Sequence, residues 1–298
     1  LKYNAFFKLL MKKYLFLIPV FNDWISVNIL LGKIDSELSI FEHEFSVVIV
    51  NDCSTNKPNI ENQKFKKINS IKIINLNKNL GSQGAIAIGL KYLSVLQEKK
   101  KIIIMDADGE DNPLVLRKII DLAIKFPKKI ITVNRTKRNE KLIYRLLYEI
   151  HYLLTFSTTG KKVRFGNYSL INPENLNKLF ATGDLWAAYP STIVKNFREE
   201  EIEPILAERK KRYTDNSKMN LFQLIFHSLR IISVFRRRLI IISIIYISIL
   251  SLLNIMFGSI LFSILTGLIL TLNILVFVIS LNYKKEDFEN YKNLIKNI

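Results

Sequence analysis

Cysteine is nearly absent: the 298 residues contain one, Cys53. A disulfide framework is excluded, and so is a cysteine-rich zinc module. Glycine and proline are also scarce, at 10 and 7, which excludes collagen-like and low-complexity chains. The histidines, His43, His151 and His227, are too scattered for a zinc site. Neither a phosphate-binding GxxxxGK-S/T loop nor a GxGxxG turn occurs, so kinase-like and dinucleotide-binding readings lose their main support. Acidic residues number 26 against 44 Lys and Arg, for a formal net charge of +18. The most informative absence is local: from Leu239 to Leu281 there is no charged side chain.

That run is more than twice the ~20 apolar residues that one membrane-spanning helix needs. It predicts two helices, with a turn at Asn254, Gly258 and Ser259. The alternative is a buried hairpin in a soluble core, but soluble helices rarely stay uncharged on every face. Arg236, Arg237 and Arg238 precede the run, and Lys284 and Lys285 follow it. Basic residues at both outer ends predict a hairpin whose two ends are cytoplasmic. Leu1–Lys13 is short and mixed, so no cleavable signal peptide is expected there. Hydrophobic residues make up 49% of the chain, which excludes intrinsic disorder. The basic residues cluster near the spans rather than in one stripe, so a membrane surface is the expected partner and nucleic acid is not.

Upstream, short apolar runs alternate with amphipathic stretches. Tyr14–Val20, Phe45–Val50, Ile71–Leu76, Lys101–Met105 and Lys129–Val133 read as buried strands. Continuous Val and Ile runs, not clean alternation, indicate strands covered on both faces, hence a parallel sheet. Gly84–Gln97 and Pro113–Phe126 have helical spacing, so the pattern is doubly wound α/β. A helix is expected over 139–158, and a further strand over Phe165–Ile171. Lys218–Phe235 carries a narrow polar stripe of Asn220, Gln223, His227 and Arg230 on an otherwise apolar helix, which suits a membrane interface. The polar tail from Lys284 to Ile298 is expected to form a short cytoplasmic helix.

Ligands of such sheets bind beyond the carboxyl ends of the strands. Asp106-Ala107-Asp108 follows a buried strand directly, and Glu110 and Asp111 come next. Four carboxylates within six residues repel one another, and hard oxygen ligands suit Mg²⁺ or Mn²⁺. The other reading is an acidic helix N-terminus. Asp52 ends the second strand, where it can accept from a nucleobase N–H or close an Asx turn. Asn79–Gly84 is a glycine-containing loop that opens a helix, and at Gly81 its backbone can approach a ligand closely.

Ile18–Asp23, Val48–Ser54, Asn79–Gly89 and Met105–Asp108 together resemble the successive blocks of family 2 glycosyltransferases, which have the GT-A fold. The sequence is most similar to the polyprenyl-phosphate sugar transferases, the dolichol-phosphate-mannose-synthase-like branch. Asn134–Arg138, Phe165–Ser169 and Ser217–Asn220 before two spans agree with that branch. The resemblance covers about residues 14–285. It implies a GT-A domain over 1–215, an interfacial helix over 216–238, a transmembrane hairpin over 239–281 and a cytoplasmic tail over 282–298.

The resemblance also implies roles. Pro19, Asp23, Asp52 and Gly81 would line the nucleotide-sugar pocket, with Asp106 near the donor ribose and sugar. Asp108, helped by Glu110, would hold Mg²⁺ or Mn²⁺ on the diphosphate. Arg135 and Arg138 would contact the donor diphosphate or the acceptor phosphate. Arg138, Arg212 and Lys218 would meet the phosphate of a polyprenyl lipid. The implied activity is metal-dependent transfer of a sugar from a nucleotide sugar to polyprenyl phosphate at the cytoplasmic membrane face. Another membrane glycolipid or saccharide acceptor, or a non-catalytic scaffold, are the alternatives, and a homo-oligomer is compatible with each. Two blocks depart from the family pattern. Its usual first-block Glu is Asp23, and its usual Asp-Asp-Gly-Ser is Asn51-Asp52-Cys53-Ser54. The Gln-x-x-Arg-Trp motif of processive polysaccharide synthases is absent.

Overall fold

A computed structural model describes residues 13–58, 60, 65–96, 99–135, 149, 152–153, 155–157, 159–160, 163–214 and 221–298. The chain builds an eight-stranded sheet. β1 (Lys13–Val20), β2 (Glu44–Asn51), β3 (Ile68–Leu76) and β4 (Lys101–Ile104) come first, followed by β5 (Ile130–Arg135), β6 (Phe165–Ile171), β7 (Ile202–Ala207) and β8 (Ile295–Asn297). Their order across the sheet is β7-β5-β6-β4-β1-β2-β3-β8. The expected parallel arrangement holds for β4-β1-β2-β3. It fails at β6, which lies between β4 and β5 and runs antiparallel to both. The sheet is therefore mostly parallel, and the fold is GT-A-like.

Helix α1 (Trp24–Glu37) and helix α3 (Leu116–Lys125) pack on one face, and α2 (Gly81–Val95) on the other. The strands alternate accordingly. Phe16, Ile18, Val47, Ile49 and Ile103 point to the first face, whereas Leu17, Val48, Val50, Ile102 and Ile104 point to the second. This is why the strands read as unbroken apolar runs: both faces are covered. Three short helices, α4 (Leu176–Leu179), α5 (Asp184–Ala187) and α6 (Tyr189–Asn196), extend the second layer. Most of the helix expected over 139–158 lies outside the described residues, and its described positions 149, 152–153 and 155–157 are helical.

Helix α7 (Leu221–Ser233) leads into α8 (Arg236–Phe257) and α9 (Ile260–Ser280). The turn forms where the sequence placed it. Gly258 is left-handed and donates to the Asn254 carbonyl at 2.8 Å. Ser259 caps α9 through Leu261 N–H. Both α8 and α9 are long and apolar enough to cross a membrane, and only 11% of the most apolar 18 residues of each is buried. That exposure is unlike a soluble core hairpin.

The tail differs from the expected helix. It forms two 3₁₀ turns, Glu286–Phe288 and Tyr291–Leu294, and then β8, an edge strand antiparallel to β3. The reason is apolar burial. Phe288 and Tyr291 are 3% and 5% exposed within the core of the α/β sheet, a burial that a solvated helix would forfeit. Gly183 makes the path possible, because a Cβ there would lie 2.3 Å from the Tyr283 carbonyl oxygen.

Candidate active site

The carboxyl ends of β1, β2 and β4 deliver the candidate residues to one edge. Pro19 is buried in β1, opposite Val50 of β2. Asp23 caps α1 through Ser26 N–H at 3.4 Å and accepts from the Thr214 hydroxyl at 3.3 Å. Asp52 is 2% exposed, and its Oδ1 accepts the Leu80 N–H at 2.7 Å. That bond ties the end of β2 to the loop that opens α2 at Gly81. Burial pushes the Asp52 carboxyl up, against the lowering effect of the Leu80 and Gly81 N–H groups.

Asn22 and Cys53 both have positive φ, at 53° and 59°. The Asn22 side chain offsets its strain by accepting from Thr55 N–H at 2.8 Å and from the Thr55 hydroxyl at 3.1 Å. Cys53 stands where the family pattern places glycine, so its left-handed backbone carries a Cβ penalty of about 1–2 kcal/mol. Cys53→Gly is expected to recover about 1 kcal/mol, after the larger unfolded-state entropy of glycine is subtracted. Reversible denaturation would check this, and an unchanged or lower stability would contradict it.

The acidic loop follows β4. Asp106 accepts from Asn167 Nδ2 at 2.9 Å, and its backbone N–H donates to Asp111 at 2.9 Å. Asp108 accepts the Glu110 N–H at 3.0 Å and pairs with Arg212 at 3.0 Å. Glu110 pairs with Arg209 and with Arg212, the latter at 3.2 Å. The 208–214 segment is pinned along this loop by two backbone bonds, Lys210 N–H to the Glu110 carbonyl at 3.0 Å and Tyr213 N–H to the Asp108 carbonyl at 2.9 Å. Gly109 permits it: its φ is +89°, and a Cβ would meet the Tyr213 ring at 2.6 Å. Burial, then the charges of Asp106 and Glu110, push the Asp108 carboxyl up to about 6, while Glu110 N–H and Arg212 pull it down.

Two of the expected site residues have partners within the chain. Arg212, expected at an acceptor phosphate, is committed to Asp108 and Glu110. Glu110, expected on a metal, has both oxygens engaged by Arg209 and Arg212. The physical reason is shared: a crowded, half-buried acidic loop recruits the nearest guanidiniums as counter-charge. Arg135 closes β5, Arg138 and Lys218 lie outside the described residues, and no side-chain geometry of the three is described.

The structure also brings in residues that sequence reasoning passed over. Arg209 belonged to a basic run, but nothing in the run announces its partner. Gln83 and Asn167 are buried and bonded to each other at 3.0 Å, linking α2 to Asp106. Arg230, one of the polar-stripe residues, turns inward. It donates to the Trp186 carbonyl at 2.8 Å, lies 5.5 Å over the Tyr283 ring, and has a guanidinium nitrogen 3.9 Å from the Cβ position of Gly81. Beside it, Arg236 at the foot of α8 pairs with the buried Asp184 at 2.8 Å.

A mostly parallel α/β sheet with an acidic loop beyond its central strands defines the GT-A class. The sequence matches the family described as Glycosyl transferase family 2 over residues 16–191, and the chain belongs to that family. It is 22% identical over 219 residues to an uncharacterized glycosyltransferase of Synechocystis sp., covering 70% of this chain and 64% of that protein. It is 20% identical over 202 residues to the uncharacterized glycosyltransferase YkcC of Bacillus subtilis, covering 64% and 61%. The chain thus spans less than two thirds of the length of these curated relatives. Among solved structures, it is similar to glucosyl-3-phosphoglycerate synthase from Mycobacterium tuberculosis in complex with Mn²⁺, UDP-glucose and phosphoglyceric acid. The TM-score is 0.54 at 12% identity, covering 76% of this chain and 80% of that one; the likeness is one of fold.

Proposed function

We propose that this chain moves a sugar from a nucleoside-diphosphate sugar to a polyprenyl phosphate at the cytoplasmic membrane face. The observation that carries this reading is a convergence on the first turn of α2. Asp52 bonds its Leu80 N–H, Gln83 reaches toward Asp106 through Asn167, and Arg230 approaches Gly81 from the helix that leads into the apolar hairpin. Carboxylates that suit a soluble donor and a cation on the helix leading into the apolar hairpin therefore converge on one helix turn. The basic flanks of α8 and α9 favour both ends on the cytoplasmic side.

Asp106 and Asp108 offer the hard oxygen donors that Mg²⁺ or Mn²⁺ prefers, and burial, then the neighbouring charges of Asp106 and Glu110, raise the Asp108 carboxyl. Among the described residues, no three His, Cys, Asp or Glu side chains form a closed cage. Such ions are commonly held by one or two carboxylates plus substrate phosphates. When bound, the ion supplies charge neutralisation for the departing diphosphate.

The chain's own residues bind and orient. Pro19, Asp23 and Asp52 shape the floor for the nucleoside, and Asp106 faces the donor sugar. A phosphate acceptor is already anionic at neutral pH, so it needs no strong general base. Its oxygen forms a bond to the anomeric carbon as the bond from that carbon to the diphosphate breaks. The protein's contribution is positioning and charge stabilisation. Arg230 is the described cation we assign to the lipid phosphate. Arg230→Gln should raise KM for polyprenyl phosphate about tenfold, as expected for one charged hydrogen bond, and the donor KM much less. Equal changes in both constants, measured in detergent, would reject that assignment.

A further inference from the structure

Two side-chain amides form a directed chain that ends on Asp106. Tyr189 N–H donates to Gln83 Oε1 at 2.7 Å, Gln83 Nε2 donates to Asn167 Oδ1 at 3.0 Å, and Asn167 Nδ2 donates to Asp106 Oδ1 at 2.9 Å. The polarity of this chain follows from its far end. A backbone N–H can only donate, so the Gln83 atom facing Tyr189 must be the oxygen. Gln83 must then present its NH₂ to Asn167, which in turn must present its own NH₂ to Asp106. Gln83 and Asn167 are 4% and 8% exposed, so water is a poor substitute partner. The links come from α6, α2, β6 and the loop after β4, four elements far apart in sequence.

We infer that Gln83 and Asn167 are positioning residues: they fix the Asp106 carboxylate in one orientation, with Oδ1 held by Asn167 and the rest of the group turned to the donor. This deepens the reading above, in which Asp106 faces the donor sugar, and rests on it. Simple satisfaction of buried polar groups would require some partner for each amide. It would not require the chain, once its direction is set at Tyr189, to end on an acid of the site.

Gln83→Glu tests the direction. Glutamate keeps the shape and still accepts from Tyr189, but it has no N–H for Asn167. The Asn167 amide then turns its NH₂ to Glu, presenting an oxygen to Asp106, and the carboxylate swings away. Asp106→Asn supplies the missing donor, so the double variant restores the contact.

Expected results are threefold. Crystal structures show Asp106 out of hydrogen-bond range of Asn167 in Gln83→Glu, and the side chain at position 106 back in range in the double variant. The Tm in detergent falls by about 2–4 °C in Gln83→Glu and recovers in the double variant. Calorimetric affinity for UDP or GDP with Mn²⁺ falls about tenfold in each single variant and no further in the double. An unchanged Asp106 contact in Gln83→Glu, or losses that simply add, would overturn the inference. If the wild type binds neither nucleotide, the donor-facing reading of Asp106 fails, and the crystal structures and Tm values still decide the relay. Should Gln83→Glu not fold, Asn167→Leu removes the same donor: native affinity in that variant refutes the relay, and a tenfold loss supports it.

Discussion

Asp108→Asn is expected to lower sugar transfer about a hundred- to a thousandfold while leaving the protein folded. Asp108 sits between Asp106 and Glu110, and burial together with those charges pushes its carboxyl up to about 6. The free group titrates near 3.9, so the folded chain holds the proton more tightly than the unfolded one. Between about pH 4 and about pH 6 the unfolded state releases its proton first, and this group's contribution to stability falls as pH rises. Below that window its charge costs nothing, and above it the cost, with Arg212 already paired, is fully present unless a bound cation offsets it. Asparagine removes the charge, so the variant should be no less stable at neutral pH. A divalent ion binds the ionised carboxylate, so Mn²⁺-dependent nucleotide affinity should strengthen as pH rises through about 6, and Asp108→Asn should flatten that rise. Calorimetry at several pH values checks both, and wild-type affinity in the variant would remove Asp108 from the metal site.

Phe288→Ala is expected to destabilise the chain by about 3–5 kcal/mol. Phe288 is 3% exposed, stacks on Trp186 at 4.8 Å between centroids and meets Phe180 edge-on at 5.0 Å. Its removal opens a cavity between the tail and the catalytic core. The Trp186 carbonyl also accepts from Arg230, so the loss loosens the cation assigned to the acceptor. Phe288→Leu should cost about 1–2 kcal/mol. Denaturation in detergent would read both. Near-wild-type stability of Phe288→Ala would show that the tail is a separate appendage, as its polar composition alone suggests.

The strands and hairpin were legible because their signals are local. An unbroken Val and Ile run needs cover on both faces, and an uncharged run from Leu239 to Leu281, broken at Asn254, Gly258 and Ser259, predicts paired apolar helices. The Asn254–Ser259 turn and the acidic loop after β4 are legible for the same reason. The tail was not, because two aromatics among Lys, Glu and Asn do not look like a core. They become one only because Trp186 and Phe180 lie beneath them. The direction of β6 was hidden too, since an apolar run has no sign. The counter-charges of the site come from far along the chain. Arg209 reaches Glu110 across 99 positions, and Gln83 reaches Asn167 across 84. Such pairs follow from the sheet order and not from spacing. Cys53 is the instructive case: the departure from the family's glycine was visible, and its consequence became readable only with φ.

The most direct test of the central claim is mass spectrometry of the lipids formed by the purified chain. It would be given a panel of nucleotide sugars, Mn²⁺, and equal amounts of a short polyprenyl phosphate, the matching unphosphorylated polyprenol and a membrane glycolipid. The account predicts one new species, a glycosyl polyprenyl phosphate, formed with one nucleoside diphosphate released per sugar and abolished by a chelator. Sugar on the polyprenol or the glycolipid, with none on the polyprenyl phosphate, would contradict it.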